Sequence, residues 1–425
     1  MKVKRTDLPS VKQDKILIFL LVGYETCEIS MLYSEFFSLT LPVKAEESMS
    51  VIIREVTTKK ELKKFVKFNI DLYRGNPYHV PGLIEEEMMT LDPKRNPAFE
   101  VCDSISFLAY RNDQVVGRIT GIINRGSNET WGQKRARFGF VDFIDDQEVV
   151  DALFKAVEDW ARQKGMEELQ GPMGFTDMDH EGMLIDGFDQ IGTIATIYNF
   201  PYYPQHMERM GFVKDQDWHE FKIFVPREGI PEKHQRIGEI VKKKYGLKIM
   251  KFKNAKEIMP YAHKVFNTLN EAYTPLYGFS KLTQKQIDYY INMYIPMLRY
   301  DLVTVIVREE DDEVVGFGIS LPNLSHAMKK ANGHLFPFGW IHLLKALKTK
   351  PKVVDLYLMG VLPEYQSKGV NALLFNDLIP IYNKLGVEYA ESNPELESNN
   401  AVQAQWDYFK REHHKTRRAF IKKIG

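Results

Sequence analysis

One hairpin pattern occurs twice in this sequence, and the repeat limits the folds open to the chain more than any other feature. FLAYRND runs into QVVGRITGIIN through a turn at Asn112 and Asp113, and VTVIVREEDDEVVGFGISLPN at residues 303–323 has the same Val-Val-Gly after its turn. Two β-rich runs around a short polar turn predict a β-hairpin. Because 425 residues exceed one ordinary core, the repeat predicts two domains of one architecture.

The elements around the two hairpins follow one order. A strand (residues 51–56) and a helix (59–73) precede the first hairpin, and a strand (247–250) and a helix (255–272) precede the second. An apolar strand, a helix with apolar residues at helical spacing and a further strand follow each hairpin. These are RFGFVDF, EVVDALFKAVEDWARQKG and MEELQGPM in the first copy, and VVDLYLMGV, VNALLFNDLIPIYNKLG and VEYAESN in the second.

Pro226 and the polar stretch REGIPEKHQ mark a boundary between the copies. The sequence therefore predicts one domain over residues 50–226 and another over 227–425. Residues 1–48 contain a signal-like stretch, but its apolar run at 16–22 is too short to span a bilayer and no small-residue cleavage site follows it. We interpret residues 1–48 as an extension, disordered or the product of a mis-called start.

The charge balance argues against a nucleic-acid partner. The chain has 57 basic and 57 acidic residues, so no net field attracts a polyanion, and no recognition motif for nucleic acid occurs. Two cysteines, Cys27 and Cys102, suit a reducing compartment. These features predict a cytoplasmic protein, with peripheral contact at the inner membrane face left open.

The stretch VLPEYQSKGVNALLFNDL, residues 361–378, predicts a binding site for an anion. An apolar strand ends here in a polar turn with a glycine, and helical periodicity starts directly after the turn. The first N–H groups of a helix have no partner within the helix, and the helix dipole attracts negative charge there. This turn is therefore expected to hold a phosphate.

The repeated order of elements resembles the GNAT acyltransferase superfamily, here as two domains in tandem within an α/β fold with a mixed sheet. The superfamily's acyl-CoA signature is Arg or Gln, two residues, Gly, one residue, then Gly or Ala. The stretch Gln366-Ser367-Lys368-Gly369-Val370-Asn371 fits this signature except at Asn371, whose side chain narrows the space for a pyrophosphate. The resemblance implies acyl-CoA or acetyl-CoA as cosubstrate and no metal. It also implies that main chain of the preceding strand, at Met359 and Val361, meets the thioester.

A narrower resemblance concerns several phrases of the sequence. These are YRGNPYHVPGL, NPAF, VVGRITGIIN, FGFVDFIDD, GPMGFTDMDHEGMLIDGF, LFPFG and GVLPEYQSKGVNALL. Together they are similar to a bacterial family that includes ceramide synthases, which N-acylate a sphingoid base with a long fatty acyl group. The resemblance implies that an amine, here that of an amino lipid, accepts the acyl group, and that the chain acts in sphingolipid metabolism.

The first copy lacks the signature. Its apolar strand is followed by Ile144-Asp145-Asp146-Gln147-Glu148, where carboxylates would repel a phosphate but favour a helix start. We interpret the first domain as degenerate, without a CoA pocket of its own, and as a wall of the substrate site.

Acyl transfer to an amine requires removal of the amine's proton and a proton for the departing thiolate. Three candidates lie in the second domain: Tyr357 on the strand before the signature, Glu391 after the next strand, and Tyr408 in the segment AVQAQWDYFKRE. GNAT enzymes often place a tyrosine near the thioester sulfur, and the resemblance implies Tyr408 for this role. Each candidate also has a structural interpretation, as a packed aromatic residue or as a carboxylate that caps a turn.

The loop Thr176-Asp177-Met178-Asp179-His180-Glu181-Gly182 holds four ionisable groups in the first domain. Either it is a solvated turn, or His180 or Glu181 reaches across the domain interface and deprotonates the amine. A metal site is a third interpretation, but the sequence shows no partner ligands nearby.

Two basic segments complete the prediction. The second-domain segment LFPFGWIHLLKALKTKPK, residues 335–352, begins with aromatic residues, continues with leucines at helical spacing and ends with lysines. Such a piece lies on an anionic membrane, receives an acidic acyl carrier protein, or packs on the core as an ordinary helix. The tail KREHHKTRRAFIKKIG contacts the CoA 3′-phosphate or the carrier protein, or is a solvated last strand.

Three functions remain open from the sequence. The first is N-acyl transfer from acyl-CoA or acyl carrier protein, to an amino lipid or, by acetylation, to a small amine. The second is a catalytically silent binding protein of the GNAT fold, which Asn371 and the absent first signature favour. The third is an aminoacyl transferase for cell-wall peptides that uses charged transfer RNA. A long apolar tunnel beside Tyr357 would favour a fatty acyl chain, and a shallow polar pocket an acetyl group.

Overall fold

A computed structural model describes residues 50–425, and Val51–Gly425 forms one compact unit. The extension predicted for residues 1–48 lies outside the described residues. The strands are β1 (Ile52–Glu55), β2 (Cys102–Arg111), β3 (Gln114–Asn124), β4 (Arg135–Phe143), β5 (Glu168–Gly171), β6 (Met183–Asp186), β7 (Val213–Phe224), β8 (Leu247–Met250), β9 (Val303–Arg308), β10 (Val314–Pro322), β11 (Val353–Val361), β12 (Tyr389–Ser392), β13 (Glu395–Leu396) and β14 (Arg411–Lys423). The helices are α1 (Lys59–Leu72), α2 (Ile84–Thr90), α3 (Arg125–Trp131), α4 (Gln147–Gln163), α5 (Tyr202–Arg209), α6 (Glu232–Tyr245), α7 (Ala255–Tyr273), α8 (Gln284–Tyr294), α9 (Ser325–Ala331), α10 (Gly339–Lys348), α11 (Asn371–Leu385) and α12 (Asn400–Ala404).

All described strands belong to one mixed sheet. Its order is β1-β2-β3-β4-β5-β14-β7-β12-β11-β10-β9-β8, with β6 beside β14 and β13 beside β7. The β4–β5 and β11–β12 pairs are parallel, whereas the other pairs are antiparallel. The predicted α/β class with a mixed sheet is confirmed.

The sheet contains the repeat that the sequence predicted. Strands β1 to β5 and β8 to β12 run in the same order from opposite edges of the sheet, and each set includes one of the two hairpins. In the first hairpin Asn112 and Asp113 have φ of +52° and +58°. This left-handed turn matches the twist of the two strands, and Asn and Asp tolerate it better than most residues.

We call β1 to β7 with their helices the first half and β8 to β14 with theirs the second half. The last strand of each half pairs with strands of the other half. β7 of the first half pairs with β12 of the second, and β14 of the second half lies between β5 and β7. The basic tail is therefore a strand, as one interpretation predicted, but it is central and largely buried and not solvated. Its contact with CoA or a carrier protein stays a prediction. Lys415 and Arg417 are each 1% exposed and form ion pairs with the buried Glu220. The exchange explains why the halves form one unit, while Pro226 as a domain boundary stays a prediction.

Helices cover the sheet through apolar faces at the predicted spacing. On α4 the buried positions include Val149, Leu153 and Val157, which pack in the core of the first half. On α11 Leu373 and Leu374 pack with Val241 of α6 in a core of the second half. The strands β4 and β11 thus stand at equivalent places in two packed halves, and the sheet brings the two places towards each other.

Candidate active site

A cavity of about 1200 Å³ lies between the two halves. The second half contributes β11, the turn after it and the segment from Ser392 to Trp406, while the first half contributes α2 and the loops after β5 and β6. The first half therefore walls the cavity. This large shared cavity joins the predicted anion turn to the ionisable loop at 176–182.

β11 separates from its neighbour at the cavity. β11 and β12 pair only from Val353 to Leu356, and β11 then continues to Val361 with no partner on that side. Side chains bond the carbonyls that face the gap: Tyr273 donates to the Met359 oxygen at 2.9 Å, and Gln366 donates to the Val361 oxygen at 3.0 Å. Such a gap in a sheet admits an extended ligand, which can pair with the free edge as a further strand would.

The N–H groups of Met359 and Val361 point into the same gap. The N–H and C=O of one strand residue point to the same side, and the carbonyls of Met359 and Val361 face the gap. Leu362, one residue further, donates its N–H in the opposite direction, to Val315 O at 2.9 Å. The main chain of β11 thus has N–H groups at Met359 and Val361 that face the gap, and their contact with a thioester stays a prediction.

The turn after β11 exposes main-chain donors. In the part of the chain that the structure describes, no protein acceptor bonds the N–H of Ser367, Gly369, Val370 or Asn371. Ser367 and Gly369 have φ of +58° and +83°, and a Cβ on Gly369 would meet the Val241 side chain at 3.2 Å. A turn with free amides at the start of the 15-residue α11 is suited to a diphosphate.

The predicted CoA residues divide into two groups. Met359, Val361, Gln366, Ser367 and Asn371 line the cavity, whereas Lys368, Gly369 and Val370 support the turn from outside it. The Lys368 ammonium lies 5.3 Å from the ring centres of Tyr245 and Tyr365, and Val370 is buried. The Asn371 amide donates to Gln405 Oε1 at 3.1 Å, so its side chain is held by the protein.

Two carboxyl groups of the 176–182 loop line the cavity, and each has one oxygen without a protein donor among the described residues. Within residues 50–425, Oδ1 of Asp177 and Oε1 of Glu181 are buried atoms with no hydrogen-bond partner. Burial raises the pKa of Asp177 to about 7, and burial together with the Asp177 charge raises the pKa of Glu181 well above its usual range. Two carboxyl groups with raised pKa values in one cavity suit a cationic or amine ligand.

The neighbouring side chains in this loop have other roles. Asp179 accepts the N–H of Phe175 at 2.8 Å and of Thr176 at 3.1 Å, so it shapes the loop. His180 Nε2 lies 2.9 Å from the carbonyl of Ile194 and must donate to it, which leaves Nδ1 as the acceptor. Burial lowers the pKa of His180, so the ring is neutral. Sequence reasoning singled out His180 and Glu181 in this loop but not Asp177.

The structure separates the three candidates of the second half. Tyr357 lines the cavity, and its ring packs edge-on against Tyr294 with centroids 5.4 Å apart. Glu391 lies outside the cavity wall, in an ion pair with Lys415 at 2.7 Å and with His414 Nε2 at 3.0 Å from its carboxylate. Burial alone would raise the pKa of Glu391, but the hydrogen bond from His414 and the charge of Lys415 outweigh burial and lower it.

Tyr408 lies outside the cavity wall as well. Its side chain is 64% exposed and contacts His234 edge-on at 4.4 Å between ring centres. The predicted helix breaks here, because α12 ends at Ala404 and a 3₁₀ turn carries residues 405–408. At this end of the cavity the wall includes Glu395 and does not include Tyr408.

Glu395 is a site residue that the sequence did not reveal. It lines the cavity three residues after β12, accepts the Trp406 indole N–H at 2.7 Å, and has a second oxygen without a partner in the described chain. Burial raises the pKa of Glu395 to about 7. Glu86 of α2, also in the cavity wall, has a pKa raised by burial and by Glu87. Neither glutamate belongs to a motif, so only the folded chain identifies them.

One wall of the cavity is apolar. Trp340, Leu343, Leu344 and Leu347 of α10 line it. Across residues 50–425 no helix is both long and apolar enough for a membrane span. In the same residues no group of three or more His, Cys, Asp or Glu side chains is placed to hold a metal ion.

Comparison with known proteins identifies the fold and two relatives. Residues 263–404 match the acetyltransferase (GNAT) family. The chain is 28% identical to "Protein YghO" of Escherichia coli (strain K12) over 378 residues, 88% of this chain and 95% of that protein. It is 29% identical to "Bacterial ceramide synthase" of Caulobacter vibrioides over 378 residues, 87% of this chain and 96% of that protein.

A solved structure with the same arrangement supports the tandem fold. It is a tandem GNAT protein from the clavulanic acid biosynthesis pathway, with a TM-score of 0.51 and 11% identity. The alignment covers 88% of this chain and 99% of that one. At this identity the likeness concerns the fold alone, and the fold contains two GNAT domains.

Proposed function

We propose, from the premise that this chain is an N-acyltransferase with two GNAT-like domains in tandem, that it transfers a long acyl chain from acyl-CoA to an amino lipid such as a sphingoid base. The observation that carries this proposal is the single cavity. It connects the free amides after β11, the carboxyl pair Asp177 and Glu181, and the apolar wall of α10. A donor, an acceptor and a hydrocarbon chain thus share one space.

The size and lining of the cavity favour a long chain over an acetyl group. Its volume of about 1200 Å³ exceeds the roughly 300–1000 Å³ that suits a drug-sized ligand. Leucine and tryptophan side chains of α10 offer no partner to a polar group, so water gains by leaving that wall when an alkyl chain enters. The relative named bacterial ceramide synthase points to the same class of product.

The second half holds the donor. The diphosphate of CoA lies at the free amides of Ser367 and Asn371, which line the cavity, and the dipole of α11 adds attraction there. The thioester carbonyl accepts from the N–H groups of Met359 and Val361. Negative charge develops on this oxygen as the amine attacks, and donors already in position stabilise it without rearrangement.

The first half receives the amine. An alkyl ammonium with a pKa near ~10 must lose a proton before it can attack, and the pair Asp177 and Glu181 accepts that proton. The amine nitrogen then bonds the carbonyl carbon and releases its second proton to the same carboxyl pair, and the carbon–sulfur bond breaks as the tetrahedral centre collapses. Glu395, whose pKa is raised by burial to about 7, gives a proton to the departing thiolate. His180 Nδ1 is the alternative acceptor for the amine proton.

The proposal is tested with purified full-length protein and defined donors. Acetyl-, octanoyl- and palmitoyl-CoA are each combined with a sphingoid base or with a small water-soluble amine, and amide product is measured by mass spectrometry. We expect the highest kcat/KM with palmitoyl-CoA and the sphingoid base. Product from acetyl-CoA and the small amine alone contradicts lipid acylation, absence of product and of any CoA-induced thermal shift favours a silent binding protein, and a requirement for charged transfer RNA favours aminoacyl transfer.

A variant in the apolar wall of the cavity tests where the acyl chain lies. Leu347→Trp places a larger side chain in the apolar wall, so we expect the preferred acyl chain to shorten while octanoyl transfer persists. Ile341→Trp, on the exposed side of the same helix, is the matched control and leaves the preference unchanged. Equal chain-length profiles for both variants would place the acyl chain elsewhere.

A further inference from the structure

The exterior of the α9–α10 region has an unusual charge. Residues 325–354 contain six lysines, three histidines and neither Asp nor Glu, in a chain whose 57 basic and 57 acidic residues balance. Lys330, Lys345, Lys348 and Lys350 have exposed side chains. A stretch of thirty residues with this composition creates a local positive surface that the net charge conceals.

The same region concentrates the exposed apolar side chains. In the described part of the chain eleven large hydrophobic side chains are exposed, and five of them lie within nine residues. These five are Phe336 (73% exposed), Phe338 (69%), Trp340, Ile341 and Leu344. Single exposed apolar residues are ordinary, but a cluster of this density marks an interaction surface.

The surface continues into the cavity. α10 has only one buried residue, Gly339, and it presents Leu343 and Leu347 inward to the cavity while Ile341 is exposed outward. Trp340 and Leu344 belong to both sides, since they line the cavity and are at least 40% exposed. A molecule that leaves an apolar phase at this surface therefore meets an apolar wall immediately.

We infer that this surface, Phe336 to Leu344 with the lysines at 345, 348 and 350, docks the protein on an anionic lipid bilayer. Aromatic rings and leucines enter the acyl boundary, and lysines extend from the same edge to anionic headgroups. A protein partner with an acidic surface would pair with the lysines. It would leave Phe336 and Phe338, the two most exposed of the large apolar side chains in the described chain, without an apolar counterpart. The combination of both features selects the bilayer.

The inference is tested by vesicle binding of the full-length protein. We use vesicles of phosphatidylcholine alone and vesicles that also contain phosphatidylglycerol, and measure the bound fraction by co-sedimentation. The wild type binds both, more strongly with phosphatidylglycerol. Phe336→Ser with Phe338→Ser lowers binding to both vesicle types about tenfold or more. Lys348→Glu with Lys350→Glu abolishes the gain from phosphatidylglycerol.

Matched variants exclude a general effect of surface substitutions. Val213→Ser with Ile240→Ser removes two other apolar side chains that are more than half exposed, and Lys59→Glu with Lys60→Glu reverses two exposed lysines of α1. Both controls bind vesicles like the wild type. Turnover of acyl-CoA with a water-soluble amine, without vesicles, is unchanged in the Phe336 and Phe338 variant, because neither residue lines the cavity.

Three outcomes would overturn the inference. They are absence of wild-type vesicle binding, wild-type-like binding by the phenylalanine variant, and binding of an acidic acyl carrier protein at this surface with no binding of vesicles. Each can occur while soluble turnover persists, so a failure of docking is distinguished from a failure of the proposed acyl transfer.

Discussion

Phe143 ends the nine-residue strand β4 of the first half, and Val361 ends the matching nine-residue strand β11 of the second. The N–H of Phe143 donates to the Tyr203 hydroxyl at 3.0 Å, so a side chain occupies the position that a ligand carbonyl would take. The N–H of Val361 faces the open gap beside β12. The same place in the repeat is thus filled in one half and open in the other.

The turns after these two strands also differ, because a side chain caps the helix start in the first half and none of the described side chains does so in the second. Asp146 caps α4 by accepting the N–H of Val149 at 3.3 Å, and its carboxylate also pairs with Arg111 at 2.5 Å. The hydrogen bond from Arg111 lowers the pKa of Asp146, so a fixed negative charge stands at this helix start. At the start of α11 no side chain caps the amides. In the first half a carboxylate thus occupies the helix start that stays uncapped in the second half.

The loop that packs against β4 in the first half also contributes side chains to the cavity shared with the second half. The loop after β5 folds back against β4, where Met173 donates its N–H to Phe138 O at 2.8 Å, and then carries Asp177 and Glu181 into the shared cavity. The buried guanidinium of Arg137 bonds Gly174 O in this loop and Gly278 O of the second half. In the proposed function the first half therefore lacks a donor site of its own and contributes carboxyl groups for the amine.

The largest expected effect comes from removing that chemistry. In the double variant Asp177→Asn and Glu181→Gln, kcat/KM with the amine falls about 10²–10⁴-fold, the usual contribution of general base catalysis. The acyl-CoA dissociation constant stays unchanged, because the donor binds to the second half. Steady-state kinetics and calorimetry separate the two parameters. An equal loss of donor affinity would break the division of labour between the halves.

The pH dependence of stability provides the control for folding. Burial raises the pKa of both carboxyls above their unfolded values, so their favourable state is protonated and the fold loses stability as pH rises from about 4 towards the folded pKa. The amide variants lack this penalty. We expect their melting temperature to exceed that of the wild type at pH 8 and to equal it near pH 4, while wild-type activity increases with pH through neutrality.

An intermediate effect is expected when the start of α11 receives a negative charge like that of Asp146 at the start of α4. Asn371→Asp adds a carboxylate beside the proposed diphosphate, and repulsion at a few ångströms weakens acyl-CoA binding about 100-fold. The fold should not suffer, because a negative charge in the first turn of a helix is favourable. Calorimetric titration with acyl-CoA and thermal melting measure both quantities.

Asn371→Ala is the matched control. It removes the hydrogen bond to Gln405 without adding charge, so we expect acyl-CoA affinity within a few-fold of the wild type. Similar losses in the two variants would assign the effect to the lost contact with Gln405 and argue against a diphosphate at this turn.

Much of this arrangement could be predicted from the sequence because it depends on local patterns. The hairpins, β11 and α11 follow from alternation, turn residues and helical spacing, and the free amides follow from a glycine turn between strand and helix. The exchange of β7 and β14 could not be predicted, because pairing between strands about 200 residues apart leaves no local pattern. For the same reason the basic tail was misinterpreted as solvated.

The site shows the same limit. The loop at 176–182 was recognisable by its density of ionisable groups, but burial decides which of them lack a partner. Asp179 and His180 are bonded to main chain, whereas Asp177 and Glu181 each keep one buried oxygen without a partner in the described chain. The position of Tyr408 depended on a helix that breaks at Ala404, and Glu395 acquires its raised pKa only from packing. Local patterns therefore identify segments, while long-range packing selects the residues.

The smallest expected effect concerns the closed half. Tyr203→Phe removes the acceptor of the Phe143 N–H together with hydrogen bonds to Tyr73 and Asp142. A buried donor left without an acceptor costs about 1–3 kcal/mol, so we expect the free energy of unfolding in urea to fall by that amount. Acyl-CoA affinity should remain within twofold of the wild type, and any change in KM should concern the amine, because Tyr203 lines the cavity on the side of the first half. A second molecule of acyl-CoA bound by this variant would show instead that one hydroxyl closes an otherwise intact donor site, whereas an unchanged stoichiometry of one means that Asp146 and the folded-back loop have replaced that site altogether.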